Sequence, residues 1–251
     1  GKTNTKGLSM AVLVRADDFG YCQGVNRGIL LAIEKGVINN VGMMVNMPYV
    51  KEAFESVKDK DICLGLHVNI SVGTPICEVS QIDSLVDGCH FKSSKIYRSA
   101  SQDFVDLKQA ILEVQAQVDT FIQYAGFKPM YMDFHAVFSA NFIKACEIVA
   151  RQNDILFVGM SEKSIDVYVS DEQSDESCLK EFDSFIKNHK KDDVLIVYHP
   201  GFVDEDLLQS SSLTTKREKD VSFLASCILK DYLTKENICL FRIDQLKRED
   251  S

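Results

Sequence analysis

Short apolar runs alternate along this chain with longer segments of helical period, a pattern that few folds accommodate other than βα units around a mainly parallel sheet. Seven runs read as strands: residues 11–16, 41–46, 62–69, 130–135, 155–159, 194–198 and 238–243. Between them, Val25, Ile29, Ala32 and Ile33 share one helical face, and Phe104, Leu107, Ile111, Val114, Val118, Phe121 and Ile122 mark a longer amphipathic helix. Ser139 is placed to cap a further helix whose inner face is Phe142, Ala145, Cys146 and Val149. Arg217 and Asp220 lie one turn apart on another, at the spacing of a surface ion pair. A length of 251 residues fits one α/β barrel, so the expectation is a single domain over residues 11–251 behind a polar tail at 1–10.

Hydrophobic residues make up 45% of the chain and charged residues 26%, enough for a sizeable core and too apolar for disorder. The net charge of -9, without a basic stripe, weighs against nucleic acid and anionic membrane surfaces as partners. No apolar run approaches the roughly 18 residues of a membrane-spanning helix, and residues 1–10 are too polar for a signal-peptide core. A soluble cytoplasmic protein is expected. The start at Gly1 leaves removal of a leader, and so a secreted or periplasmic location, open. A homodimer is a separate open expectation. The eight cysteines form no C-x-x-C pair and read as reduced thiols. Residues 74–101, rich in Ser and Asp and without periodicity, read as a long loop bordering a substrate cleft. The clustered acids of residues 170–177 read as a solvated loop.

The chemistry-bearing residues gather at the ends of these runs. The first ends in Asp17-Asp18-Phe19-Gly20, which in isolation would be a turn or helix cap. The third ends in His67-Val68-Asn69, the fourth in Asp133-Phe134-His135 and the sixth in Tyr198-His199-Pro200-Gly201. A single strand histidine is more often a core residue than a ligand, but three of the chain's five share strand ends, where α/β barrels carry their functional groups. Asp and His bind zinc and similar ions, and a catalytic centre uses three protein ligands and keeps a position open. Asn69, two residues beyond His67, shares its strand face and reads either as an amide offered to a sugar or as a strand-end turn residue. His90 and His189 read as plain surface residues.

Taken together, these motifs resemble the YdjC-like family, the chitooligosaccharide deacetylase type of carbohydrate deacetylase. The resemblance rests on Ala16-Asp17-Asp18-Phe19-Gly20 with Gly24-Val25-Asn26, and on Leu64-Gly65-Leu66-His67-Val68-Asn69 with Gly73 and Pro75. It continues through Ser84-Leu85-Val86-Asp87-Gly88 with Phe91, Asp133-Phe134-His135, His199-Pro200-Gly201, and Arg217 with Asp220 and Leu224. It implies a modified (β/α) barrel, TIM-barrel-like with about seven mainly parallel strands. It implies one divalent ion, Mg2+ or Zn2+, on Asp18, His67 and His135, with Asp17 as general base and His199 as general acid or electrophilic partner. Asn69 and Arg217 would then face the substrate, an N-acetylated sugar or oligosaccharide that loses its acetyl group. One departure stands out: where the family carries further alternating histidines, this chain has Val137 and Ser139. Two other readings stay open, a metal-dependent hydrolase of another small acyl or amide substrate and a sugar-binding barrel without activity. The intact Asp17, Asp18, His67, His135 and His199 argue against the second.

Overall fold

The computed structural model describes residues 11–159, 164–189 and 192–246, so the tail at 1–10 lies outside the described residues. Its centre is a six-stranded sheet built from β1 (Val12–Phe19), β2 (Asn40–Met43), β3 (Cys63–Val68), β6 (Met132–Phe134), β7 (Ser164–Asp166) and β8 (Val194–Tyr198). The spatial order is β6-β3-β2-β1-β8-β7, every neighbouring pair is parallel, and the sheet curls into half a barrel. The crossovers carry α1 (Gln23–Glu34), α2 (Val50–Val57), α4 (Leu107–Ala125), α5 (Ala140–Gln152) and α6 (Asp175–Lys187), and α7 (Glu205–Ser210), α8 (Thr215–Leu224) and α9 (Cys227–Lys235) follow β8.

Strand alternation places the site. On β1, Val12, Val14 and Ala16 pack into the main core with the helices, whereas Leu13 joins Ala11, Cys63, Tyr131 and Ile243 in a smaller apolar cluster on the other face. Going up that inner face, Leu13 is followed by Arg15 and Asp17, Cys63 by Gly65 and His67, and Tyr131 by Asp133 and His135. Thus the face changes from apolar to polar within two residues on β1 and β6 and within four on β3. Gly65 makes this possible, because a Cβ there would lie 2.2 Å from the Tyr131 ring. Gly28 does the same for α1, where a Cβ would come within 2.5 Å of the Gly201 Cα, so the segment after β8 rests directly on the helix.

Five of the seven expected strands belong to the sheet. Residues 155–159 meet it only at Phe157, through Leu156 and Val158 flanking Met132, and residues 238–243 only at Leu240. In the second case the buried Asn40 side chain takes over the ladder, donating to the Phe241 carbonyl at 3.2 Å and accepting from the Ile243 N–H at 2.7 Å. β7 escaped sequence reading because two of its three residues are polar. Residues 74–101 are less irregular than their composition suggests: they contain a hairpin of β4 (Val86–Asp87) and β5 (His90–Phe91), turned at Gly88 with φ +68°, and α3 (Ser94–Ser99). The acidic 170–177 stretch is only half loop, since Ser174 caps α6 and places Asp175 and Glu176 in its first turn, where the helix dipole favours carboxylates. Ser139 caps α5 as expected, accepting from the Phe142 N–H at 3.1 Å.

The segment after β3 is tied down by two buried polar residues of α4. Glu113 accepts from the Ile76 and Cys77 amides at 3.1 and 2.9 Å and from Gln117 at 2.9 Å. Gln117 in turn bonds both the N–H and the carbonyl of Asn69, at 3.2 and 2.8 Å. Each buried amide left without an acceptor costs about 1–3 kcal/mol. Glu113→Ala, which strands two, is therefore expected to lower unfolding free energy by at least ~2 kcal/mol, and Glu113→Gln by less. Urea denaturation checks this, and equal stability of Glu113→Ala and wild type would refute the tether.

Candidate metal centre

Adjacent residues on a regular strand point to opposite faces, so Asp17 and Asp18 reach one cleft only if the strand is irregular between them. It is: Ala16 pairs with Val41 and Phe19 with Met43, which leaves one extra residue on β1, and Asp18 adopts φ +78°. The bulge brings the Asp18 Oδ1 within 3.2 Å of both His67 Nε2 and His135 Nδ1, which are themselves 3.2 Å apart. Donor atoms sharing one ion at ~2.0–2.1 Å stand about 3.0–3.4 Å from each other, so this triangle has the size of one face of a coordination shell. Asp18 Oδ1 is buried and finds no hydrogen-bond donor, as a ligand atom would be. The residues present therefore fit a divalent ion.

The surrounding contacts set the protonation this requires. His67 donates its Nδ1–H to Asp133 Oδ1 at 2.8 Å, which directs the Nε2 lone pair at the triangle. Arg15 grips both oxygens of Asp17, at 2.7 and 3.0 Å, and reaches Asp133 at 2.6 Å. Arg217 donates to the other oxygen of Asp18 at 2.9 Å. Burial opposes the charge on Asp17, but Arg15 and His67 outweigh it and hold the carboxyl below its ordinary range. Burial is likewise outweighed at Asp18 by His135 and Arg217, which hold that carboxyl well below the usual range. At His67 burial is overcome by Asp133 and Asp17, and the imidazole is drawn well above its usual range, so a binding cation has a proton to displace. Once His67 gives up that proton, three carboxylates against two guanidiniums leave one excess negative charge around the triangle.

His199 lies across the cleft. Its backbone N–H donates to Asp220 at 2.9 Å, its ring stacks on Tyr168 at 5.2 Å, and an Asp17 oxygen, an Asp166 oxygen and a His199 nitrogen lie within 4.8 Å of one another. Burial pulls the imidazole down to about 4 against the opposing pull of Asp18 and Asp17, so at neutral pH it is uncharged. An ordinary histidine, with a pKa of about 6.5, would hold a proton more readily. Burial also drives Asp220 up to about 7.

Asp17, Asp18, His67, His135 and His199, marked by the sequence, thus come together around one cleft. Asn69 does not join them: it is fully buried, accepts from the Ser71 and Val72 amides and donates to Asn46 and the Val72 carbonyl. It shapes the turn after β3, and no part of its amide is offered to a sugar. Arg217 and Asp220 are both buried rather than a surface pair, and each serves a different partner, Asp18 and His199. Sequence reading missed Arg15, Asp133 and Asp166. The first two could have been found as the inward neighbours, two residues before Asp17 and His135, whereas short, polar β7 gave no signal for Asp166. His90 is exposed, and the half-buried His189 donates to the Phe185 carbonyl at the end of α6.

The cleft above the triangle has a volume of about 710 Å³ and is bordered by Ser94 and Arg98 of α3, by Phe138, and by Tyr168. A model of the YdjC-like protein family matches residues 11–235. The chain belongs to the YdjC-like family. Within reach of this YdjC-like chain are the carbohydrate deacetylases of Thermoanaerobacter pseudethanolicus, 27% identical over 94% of this chain and 99% of that one, and of Vibrio parahaemolyticus, 28% identical over 92% and 94%. Among solved structures, an Enterococcus faecalis protein described as a candidate for cellobiose-phosphate cleavage superposes with a TM-score of 0.83 at 22% identity, covering 96% of this chain and all of that one. A Streptococcus mutans CE4 esterase superposes at 0.56 and 14% identity, covering 93% and 86%, and shares the fold. In this YdjC-like chain Val137 is buried in the core and Ser139 is taken up by the cap of α5 and by Asp103, so neither position lies open for ligation.

Loss of a contact behind a ligand histidine typically weakens metal affinity by about 10–100-fold. Asp133→Ala should show a loss of that size in a chelator-competition titration, and unchanged affinity would show that His67 needs no such support. Asp220, at about 7 in the folded protein against 3.8 when unfolded, contributes stability that is full below pH 3.8 and lost as pH rises through 7. Urea denaturation should show wild type losing up to ~1.4 kcal/mol per pH unit relative to Asp220→Asn across that window. Parallel pH curves for the two proteins would contradict the assignment.

Proposed function

We propose that this chain hydrolyses the acetamido group of an N-acetylated sugar, releasing acetate and the free amine, with a divalent ion on Asp18, His67 and His135. The observation that carries the reading is the 3.2 Å triangle of donor atoms beside a second, ionised carboxylate. The names of the curated relatives support the substrate class. Two imidazoles and one carboxylate suit a zinc-like ion better than magnesium, which prefers oxygen ligands. We read the curled sheet as a modified (β/α) barrel of TIM type, supported by its layered inner face and by the segments at Phe157 and Leu240 that extend it through single bridges.

Asp18, His67 and His135 would hold such an ion, which would supply polarisation of the acetyl carbonyl and a water with its pKa brought down toward about 7. Asp17 takes the proton of the attacking water. Its grip by Arg15 fixes which lone pairs face the cleft and makes it a weak base, suited to a water already acidified. His199, uncharged at rest, must gain a proton before it can act as an acid toward the departing nitrogen. Asp17 can return that proton by way of His199 through one bridging water, since an Asp17 oxygen and a His199 nitrogen lie within 4.8 Å of each other. Arg217 acts on this reading by orienting Asp18.

The two neighbouring carboxylates are expected to fail differently. Asp18→Asn should lose both metal and turnover, whereas Asp17→Asn should keep the metal and lose about 10²–10⁴-fold in kcat. Metal content measured beside acetate release tests both, and His199→Ala should also retain its ion. Turnover undiminished in excess chelator would end the proposal.

A further inference from the structure

Beside the ligand triangle, the cleft holds a second group of donor atoms. An oxygen of Asp17, an oxygen of Asp166 and a ring nitrogen of His199 all lie within 4.8 Å of one another. They come from three strands that are neighbours in the sheet, Asp17 from β1, His199 from just beyond β8 and Asp166 from the end of β7. Two acids side by side are ordinary on a protein surface and alone carry nothing. His199 is what distinguishes this pair. The residue is only 8% exposed, yet its Nδ1 is buried without a hydrogen-bond partner, and such an orphaned atom calls for a ligand or an ion to explain it. Stacking on Tyr168 fixes the plane of the ring, so its edge, where both nitrogens lie, keeps one direction. The ring is uncharged at neutral pH and has a lone pair to offer. Both carboxylates also have capacity to spare. Arg15 takes one lone pair on each Asp17 oxygen, which leaves the others for a cation. Donors sharing an ion at ~2.0–2.2 Å stand at most about 4.4 Å apart, and exposed Asp166, ending a three-residue strand, is the member that can close the small difference.

We propose that Asp17, Asp166 and His199 form a second, weaker divalent-cation site, and that filling it shuts off hydrolysis by occupying the gap through which Asp17 and His199 exchange a proton. The inhibition rests on the deacetylase reading; the binding does not. Charge sets the order of filling. With Asp166 ionised, four carboxylates face the two guanidiniums of Arg15 and Arg217, and one divalent ion on the triangle cancels the excess. A second ion then enters a neutral cluster beside another cation, since Asp17 Oδ2 lies 3.9 Å from the triangle's His67 Nε2. It therefore binds only at higher concentration. Two carboxylates and one imidazole are a donor set that accepts Mn2+ as well as zinc-like ions.

Excess zinc would also bind the exposed thiols of Cys89, Cys227 and Cys239, so Mn2+, which prefers oxygen donors, is the better probe of the second site. The triangle is first filled with one equivalent of Zn2+, which Mn2+ does not displace from nitrogen and oxygen ligands. Loss of the free Mn2+ signal in electron paramagnetic resonance should then report one further saturable ion per wild-type chain. Asp166→Asn should keep its zinc, which shows that it is folded, and should bind Mn2+ about 10–100-fold more weakly or worse, because a direct ligand has been altered. In acetate release from N-acetylated sugars, Mn2+ should inhibit wild type over the range in which it binds, and Asp166→Asn only at concentrations at least about tenfold higher. Absence of a second ion in wild type, equal Mn2+ affinity in the two proteins, or binding without inhibition would overturn the proposal. Mn2+ binding that depends on Asp166 in a chain that releases acetate from no sugar would support the second site and remove the deacetylase reading. Acetate release by a chain that binds one ion at every Mn2+ concentration would do the reverse.

Discussion

The Arg15 guanidinium joins two buried carboxylates of the site that would otherwise face each other without a cation between them. It spans β1 and β6 across the inner face of the sheet, bonded to Asp17 and Asp133. A like charge nearby raises a carboxyl pKa and an opposite charge lowers it. Without the arginine, Asp17 would lose the main partner that holds its carboxyl below its ordinary range, and Asp133 would lose a bond that fixes it behind His67. The arginine in turn depends on what lies beneath it. Its guanidinium sits 5.8 Å from the centre of the Tyr131 ring, which fits only because Gly65 opposite has no side chain. Truncating one partner of such a buried network leaves an uncompensated charge, which is why these residues act as a unit.

The same layering explains how much could be read in advance. The strand-end residues Asp17, Asp18, His67, His135 and His199 were legible because polar side chains closing apolar runs are conspicuous. Arg15 and Asp133 are equally polar but lie inside the runs, where a reader expects core. Their meaning comes from strand register across the sheet, which sequence spacing does not carry. Asn69 shows the opposite failure: it has the right chemistry and the right face, but the chain turns immediately after it and consumes all of its hydrogen bonds. The expected seventh strand is reduced to a single bridge helped by the Asn40 side chain, whereas β7 is a true three-residue ladder on β8 whose polar residues hid it.

The positions that depart from the family pattern are also accounted for in structural terms. Val137 fills the core and Ser139 joins the cap of α5 to Asp103, so both positions serve packing next to the site. The ligand triangle is complete without them. The result is a cleft whose floor is defined by β1, β3 and β6 and whose border is defined by α3 and the 136–138 turn.

The left-handed backbone at Asp18 has a consequence for which amino acids this position can accept. Only glycine enters that region freely, with asparagine and aspartate the next most tolerated. Glycine brings no ligand and asparagine no charge. Glutamate, the other carboxylate, is poorly suited to the conformation and one methylene longer. A backbone twist that aims two neighbouring side chains the same way has therefore, together with the need for a charged ligand, reduced the acceptable alphabet at Asp18 to one letter.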